Sequence, residues 1–298
     1  MRFKFLGALS AVLLVAMVGV HAQQQFTIFA SIVDGTGAPV ASVQASDLRV
    51  KEQGSDASVV KVEPVDWPTK LQILVDNGIG IGSANFVNLR NALYALIETL
   101  PPGIEVTLVA TAPQPRFLVR GTADRDGISK GLALLSHDSG AGRFVESLNE
   151  AMQRIERDKS NFFPMIISVG TNSGDRNVLD RDVKGIMQRL EQHPTTVHIV
   201  LFNGGTQTAS AGANQTEVGL AVTQFTKGRF ENINSATRLV ALLPELGKLV
   251  AKSHERQSHQ FRITVQRPAG ASGPVAQVSM GASGGATVSS LSFDGRIP

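Results

Sequence analysis

Between residues 69 and 252, short apolar strands alternate with amphipathic helices, and this order constrains the fold more than any other feature of the chain. The strand "LQILVD" at 71–76 precedes an amphipathic helix over 84–100, and the alternation continues to a last helix over 235–251. Strands connected through helices pair in parallel and carry helices on both faces. The sequence therefore predicts an α/β fold with a doubly wound, mostly parallel, Rossmann-like sheet.

The two ends of the chain predict β-structure instead. "FTIFASIVD" and "VVKVEPVDW" lie before the α/β part, and "HQFRITVQR", "VAQVSM" and "TVSSLSF" follow it between turn-rich segments. We therefore divide the chain into a leader (1–22), an N-terminal β-rich segment (23–68), the α/β domain (69–252) and a C-terminal β-rich segment (253–298). The sequence leaves open whether the two β-rich segments form one domain.

The first 22 residues are typical of a secretory signal peptide. Arg2 and Lys4 precede an apolar stretch from Leu6 to Val20, and Ala22 ends a motif of small residues suited to cleavage. This leader predicts export to a secreted or periplasmic location, with an uncleaved N-terminal anchor as the alternative. No other segment of the sequence is long and apolar enough to predict a membrane span.

Composition excludes several classes of function. The chain has no cysteine, which excludes disulfides and thiolate metal sites. Residues 1–22 carry two basic and no acidic residues, so the net charge falls from +3 to +1 without them. The remainder has no basic stripe interleaved with aromatic residues, and therefore predicts no nucleic-acid binding.

The loop after the first α/β strand, "VDNGIGIGSANF", is the first candidate for a site, because ligands of open α/β sheets bind at the carboxyl ends of the strands. A dinucleotide fingerprint requires G-x-G-x-x-G, but here Ser83 follows Gly78 and Gly80 at the third position. A phosphate-binding P-loop would need a Gly-Lys-Ser/Thr ending, which the stretch lacks. Neither nucleotide class is indicated.

The sequence gives no arrangement typical of an enzyme. "GASGG" at 281–285 matches G-x-S-x-G, but it lies between β-segments and no histidine follows Ser283. His254, Glu255 and His259 have one residue too many for the zinc motif H-E-x-x-H. We therefore predict a protein without catalytic activity.

Three segments together resemble the von Willebrand factor A family, in its exported, acidobacterial-type branch. They are "VDGTGAPVASVQASDLRVKEQG" at 33–54, "TKGRFENINSATRLVALLPELGKLV" at 226–250 and "HQFRITVQRP" at 259–268. The resemblance extends over about residues 26–298 and rests on the pattern and order of these segments. It implies a von Willebrand factor A-like α/β domain that binds a protein partner.

The resemblance also implies where a metal-ion-dependent adhesion site would lie. In the family, an Asp-x-Ser-x-Ser turn, a loop threonine and a later aspartate supply the oxygen ligands that a hard divalent cation requires. In this chain Asp76 matches the first aspartate, but Gly78 and Gly80 replace the serines, Gly142 the threonine and Val169 the second aspartate. The sequence thus predicts a degenerate site without metal or other cofactor, with Asp76 bonded to nearby backbone N–H groups or to the following helix start.

The leading hypothesis is an exported, non-catalytic protein-binding module of the bacterial envelope. Its contacts would come from three loops, at 77–83, 139–143 and 170–175. The candidate binding residues are Asp76, Asn77, Gly78, Gly80, Ser83, Gly142, Arg143, Thr171, Asn172 and Asp175. Two alternatives remain: an envelope assembly component whose β-rich segments make the contacts, and a divergent divalent-cation-dependent adhesion domain.

Overall fold

The computed structural model describes residues 24–173, 180–203 and 209–295, so the leader at 1–22 lies outside the described residues. The strands are β1 (Gln25–Val33), β2 (Leu48–Glu52), β3 (Ser55–Pro64), β4 (Thr69–Val75), β5 (Glu105–Ala110), β6 (Arg116–Thr122), β7 (Phe163–Thr171), β8 (Thr196–Phe202), β9 (Phe230–Ile233), β10 (Gln260–Gln266), β11 (Val278–Ala282) and β12 (Thr287–Ser292). The helices are α1 (Ser83–Thr99), α2 (Arg125–Ala133), α3 (Phe144–Arg157), α4 (Asp180–Gln192), α5 (Ala209–Thr226) and α6 (Thr237–Gln257). These elements form two six-stranded sheets.

The central sheet has the strand order β6-β5-β4-β7-β8-β9. Strands β5, β4, β7, β8 and β9 pair in parallel, whereas β6 pairs antiparallel with β5 at one edge. The α/β class that the sequence predicted is confirmed.

Helices cover both faces of the central sheet. Successive side chains of a strand point to opposite faces, so each buried strand contributes to two cores. In β4, Leu71 and Ile73 belong to the core shared with α1 and α6. Leu74 lies on the other face, in the core shared with α3. Helix α1 presents Leu89 and Leu93 to the first core at the spacing of one helix face.

Helix α6 extends beyond the position where the sequence places its end. The sequence predicted a helix over 235–251 and a domain boundary after 252, but α6 includes Pro244 and continues to Gln257. Its last turns have tertiary partners: His254 Nδ1 lies 2.9 Å from Thr69 Oγ1. Gln257 itself is 3% exposed. These contacts stabilise helical turns beyond the last apolar residues of the helix face. The predicted domain boundary after residue 252 therefore falls inside α6.

The second sheet is antiparallel and has the order β11-β2-β3-β10-β1-β12, so both ends of the chain contribute to it. The edge strands β11 and β12 approach each other. The sheet therefore curls around a core that includes Ile28, Ile32, Val50 and Ile263. We call this part the β-unit; its two β-rich segments, whose relation the sequence left open, share one sheet.

A buried ion pair also connects the two ends of the chain within the β-unit. Glu52 belongs to β2, and Arg267 follows β10. The Arg267 Nε atom donates to Glu52 Oε2 at 3.0 Å, and Nη1 donates to the Gly273 carbonyl at 2.8 Å. The two side chains are 2% and 4% exposed, so each charge has its main compensation in the other.

An aromatic cluster joins the β-unit to the central sheet. The Trp67 ring lies 5.4 Å from Phe29 of β1 and 5.3 Å from Phe163, the first residue of β7. Val65 packs in the same cluster. The β-unit therefore contacts the amino end of β7, which leaves the carboxyl ends of the parallel strands uncovered by this cluster.

No helix in the part of the chain that the structure describes is long and apolar enough to cross a membrane.

Candidate functional site

The loops at the carboxyl ends of the central strands converge, and we call residues 76–83, 111–115, 136–143 and 171–173 the strand-end site. Backbone hydrogen bonds hold these loops together. Asp138 N donates to the Asn77 carbonyl at 2.8 Å, and Ile79 N donates to the Gly140 carbonyl at 2.9 Å. The loops at 77–83 and 139–143, which the sequence selected, are thus adjacent.

The buried side chain of Asn77 connects two neighbouring strand-end loops by hydrogen bonds. Its side chain is 0% exposed. Its Nδ2 donates to the Ser136 carbonyl at 2.8 Å, and its Oδ1 accepts from Ala112 N at 3.1 Å. The sequence proposed Asn77 as a binding residue, but a partner cannot reach it in this conformation, because both polar atoms are directed at neighbouring loops.

Asp76 is also buried, at 4% exposure. Its Oδ1 accepts from Gly78 N at 2.8 Å, which is the type of backbone contact that the sequence predicted. Its Oδ2 accepts from the Thr171 hydroxyl. Burial raises the pKa of Asp76 above its ordinary value, although these hydrogen bonds act in the opposite direction.

The glycines of the site allow close backbone contacts that a side chain would prevent. A Cβ atom on Gly142 would lie 2.3–2.4 Å from the carboxylate atoms of Asp76. A Cβ atom on Gly80 would lie 2.0 Å from Thr171 Oγ1 and 2.1 Å from Ser173 Oγ. The side chains of Asp76, Thr171 and Ser173 therefore occupy the space into which side chains at Gly142 and Gly80 would extend.

The remaining oxygen atoms do not fit a divalent cation. Mg²⁺ and Ca²⁺ require six or more oxygen ligands, usually with carboxylates among them. Among the described residues of the site, the Asp138 carboxylate accepts from Gly140 N, and Asp76 is the buried carboxylate. The hydroxyls of Thr171 and Ser173 lie 2.7 Å apart and bond to each other. Within the described ranges, no group of three or more His, Cys, Asp or Glu residues could hold a metal ion.

The loop that follows β7 contributes buried polar groups. Thr171 and Asn172 are 2% and 4% exposed. Asn172 Nδ2 donates to Asn203 Oδ1 at 2.5 Å, which connects the ends of β7 and β8. Both residues, proposed from the sequence as binding residues, are directed into the protein. Asp175, the last residue of the predicted loop, lies outside the described residues.

Ile79, Ser83 and Arg143 lie on the accessible surface of the strand-end site, together with other exposed residues of the loops at 111–115 and 136–143. Ile79 is 47% exposed between Gly78 and Gly80. Ser83 and Arg143 are also exposed, and Arg143 Nε donates to the Pro113 carbonyl at 3.3 Å. The sequence analysis selected Ser83 and Arg143 but not Ile79. The feature that could have indicated Ile79 is its position as a single apolar residue between two glycines.

The fold has solved relatives. A structure described as von Willebrand factor type A from Catenulispora acidiphila is 13% identical, with a TM-score of 0.53 over 91% of this chain and 74% of that chain. This chain has the von Willebrand factor A fold. A pilus adhesin, SpaC from Lactobacillus rhamnosus GG, is 12% identical, with a TM-score of 0.51 over 70% of this chain and 35% of the adhesin. No family model and no curated protein matches the sequence.

Val169, which the sequence matched to the second aspartate of the family, is a core residue of β7. The sequence placed the second aspartate position of the family at Val169, but Val169 is 3% exposed and packs in the core. Strand β7 continues to Thr171, and this side chain contacts Asp76. Residues two apart in a strand share a face, so Val169 and Thr171 lie on the same face of β7, and Thr171 is the one that reaches Asp76.

Proposed function

We propose that this chain is an exported, non-catalytic protein-binding module that acts without a metal ion. Its contact surface is the strand-end surface, defined by Ile79, Ser83 and Arg143. The observation that carries the proposal is the exposed apolar side chain of Ile79, which lies between the buried residues Gly78 and Gly80.

The rigidity of the turn favours binding. Ile79 N is bonded to Gly140, Ile81 N is bonded to Gly78, and the glycines on both sides of Ile79 pack against neighbouring loops. A surface that is ordered before binding loses less conformational entropy on association. Ile79 offers an exposed apolar contact and Arg143 an exposed charge on the adjacent loop, and we propose a partner surface with an apolar pocket and acidic groups.

Two further observations support parts of this proposal. The fold is shared with a protein described as a pilus adhesin, which is a fold-level analogy for adhesion and for an envelope location. The Asp76 carboxylate is covered by Gly142 and bonded to Thr171, so it is poorly placed to exchange a proton with a ligand. Export itself rests on the leader at 1–22.

The substitution Ile79→Asp tests the contact surface. We expect at least about tenfold weaker capture of the partner from a native envelope fraction, because a charge would replace the apolar contact. Capture is quantified by pull-down followed by mass spectrometry. Leu249→Asp is the matched control, since Leu249 is 37% exposed on the half of α6 that leads to His254, which contacts Thr69 at the amino end of β4. Equal capture by the two variants would refute the proposed surface.

The alternative, an assembly component that makes contacts through its β-unit, has its own observation. Val60 and Phe293 are 52% and 53% exposed on that unit. Alanine substitutions at these two positions should leave capture intact under our proposal. If the alanine variants of Val60 and Phe293 no longer captured the partner while Ile79→Asp still did, the alternative would be favoured.

Metal independence is tested by calorimetry with Mg²⁺, Mn²⁺ and Ca²⁺. We expect no binding in the micromolar range, because one buried carboxylate cannot replace the hydration shell of the ion. Micromolar binding that disappears in Asp76→Ala would support the cation-dependent adhesion alternative instead.

A further inference from the structure

The turn after β4 contains a reactive pair of residues, because Asn77 is followed directly by Gly78. In an Asn-Gly pair, the backbone nitrogen of the glycine can attack the side-chain amide of the asparagine, since glycine has no side chain to hinder the approach. The chain has a second such pair at 203–204, but Gly204 lies outside the described residues. The turn at 77–78 is therefore the pair whose surroundings the structure defines.

The reaction of such a pair is a deamidation, and water is its only co-reactant. The backbone nitrogen of Gly78 gives up its proton and forms a bond to Cγ of Asn77. The bond between Cγ and Nδ2 breaks, ammonia leaves with that proton, and a cyclic succinimide remains. Water then opens the ring at either carbonyl carbon and leaves an aspartate or an isoaspartate at position 77. The strand-end site thus contains the groups for its own modification.

The folded turn opposes this reaction at both reacting groups. The attacking N–H is not free, since Gly78 N donates to Asp76 Oδ1 at 2.8 Å. The amide under attack is held by other loops, through the bonds of Asn77 to the Ser136 carbonyl and to Ala112 N. The side chain of Asn77 is also 0% exposed, so the surrounding loops keep it from water.

The carboxyl group of Asp76 supplies the contact at the attacking nitrogen, and it is itself fixed in place. The Thr171 hydroxyl donates to its second oxygen. Gly142 packs so closely that a Cβ atom there would lie 2.3–2.4 Å from the carboxylate atoms. A carboxyl oxygen can accept from Gly78 N whether the group is ionised or protonated. The contact therefore does not depend on the charge of Asp76.

We propose that Asn77 is a site of self-modification by deamidation, and that Asp76 keeps this site inactive while the turn is folded. The modification then takes place in molecules whose strand-end loops have opened, and its rate follows the population of that open form. The product cannot rebuild the turn, because a carboxylate at position 77 has no proton to donate to the Ser136 carbonyl and would be buried without a countercharge. Prolonged opening of the strand-end site therefore becomes irreversible.

Mass spectrometry of the wild type measures the reaction site by site. The tryptic peptide 71–90 contains Asn77 and two internal references, Asn85 and Asn88, neither of which precedes a glycine. The full protein is incubated at mildly alkaline pH, either folded in buffer or unfolded in guanidinium chloride. We expect deamidation of Asn77 to be at least about tenfold faster in the unfolded chain than in the folded protein. The two reference residues should change little in either condition.

The substitution Asp76→Ala tests the role of the carboxyl group. It removes the acceptor for Gly78 N, so Asn77 in the folded variant should deamidate at least about tenfold faster than in the folded wild type. Thr171→Val is the matched control, because it removes the other bond to the same carboxyl group and leaves the contact with Gly78. Urea denaturation of both variants gives their stabilities for comparison. The wild-type comparison needs no variant, so it tests the proposal even if Asp76→Ala does not fold.

Three outcomes would overturn the proposal. Equal rates at Asn77 in folded and unfolded wild type would show that the turn gives no protection. Equal rates in folded Asp76→Ala and wild type would remove the role of Asp76. Equal acceleration in Asp76→Ala and Thr171→Val would assign the protection to general stability of the loops.

The substitution Asn77→Asp tests the consequence of the modification, since it places one of the two products in the turn. This variant should unfold at a lower urea concentration than the wild type, and wild-type stability would contradict irreversible opening. None of these measurements uses a partner or Ile79, so the strand-end binding proposal is tested separately.

Discussion

Replacing Gly80 by serine, the residue that the family resemblance places there, is expected to lower the free energy of unfolding by about 1–3 kcal/mol. The new Cβ atom would lie 2.0 Å from Thr171 Oγ1 and 2.6 Å from Thr171 Cβ. Because Thr171 is buried and bonded to Asp76, it cannot move aside without breaking that contact. The loss is measured by urea denaturation followed by circular dichroism.

Gly121→Ser is the matched control for this substitution. A Cβ atom on Gly121, in strand β6, would lie 3.6 Å from Thr107 Oγ1, which is an ordinary contact distance. We expect this control to unfold at the same urea concentration as the wild type or slightly above it. A Gly80→Ser protein of wild-type stability that gained micromolar Mg²⁺ binding would show that the turn is open and still accepts the family ligands.

Phe163→Ala is expected to cost about 3–5 kcal/mol of stability, in the range of large aromatic deletions from cores. Phe163 is 3% exposed. Its ring packs on Trp67 at 5.3 Å in the cluster that joins the β-unit to the central sheet. The cavity would therefore open at the junction of the two units. Thermal unfolding followed by calorimetry measures the loss.

A surface phenylalanine provides the comparison. Phe225 is 41% exposed on α5, and Phe225→Ala should change stability by less than about 1 kcal/mol. If the aromatic cluster couples the units, the wild type unfolds in one transition and Phe163→Ala separates it into two. Two separate transitions in the wild type, unchanged by Phe163→Ala, would contradict this coupling.

The α/β part was predictable because its signals are local. The spacing of Leu89 and Leu93 predicts one buried helix face, and the apolar run of β7 predicts a buried strand. The end of α6 was not predictable in this way, because contacts such as that of His254 with Thr69 lie far apart in sequence. The curled sheet of the β-unit depends on pairings between opposite ends of the chain for the same reason.

The convergence of the strand-end loops was predictable from the sequence, but the exposure of their side chains was not. The rule that ligands bind at strand ends brought the loops of Asp76 and Gly142 together, as the structure has them. The sequence does not indicate which side chains of a loop point outward, so it selected Asn77 and missed Ile79. The groove at the amino end of β7 was beyond prediction, since its lining residues Trp67, Pro194 and Gln257 come from three distant segments.

The pairing of β1 with β10 and β12 has a consequence for how this chain is made. The central α/β unit is topologically an insertion between two halves of the β-unit. Strand β1 emerges from the ribosome first, yet its hydrogen-bonding neighbours come more than 200 residues later. Such non-local pairing is slow to form, and β1 lacks these two neighbours until β10 and β12 have been synthesised. The β-unit therefore cannot complete its sheet before the whole central α/β unit has left the ribosome.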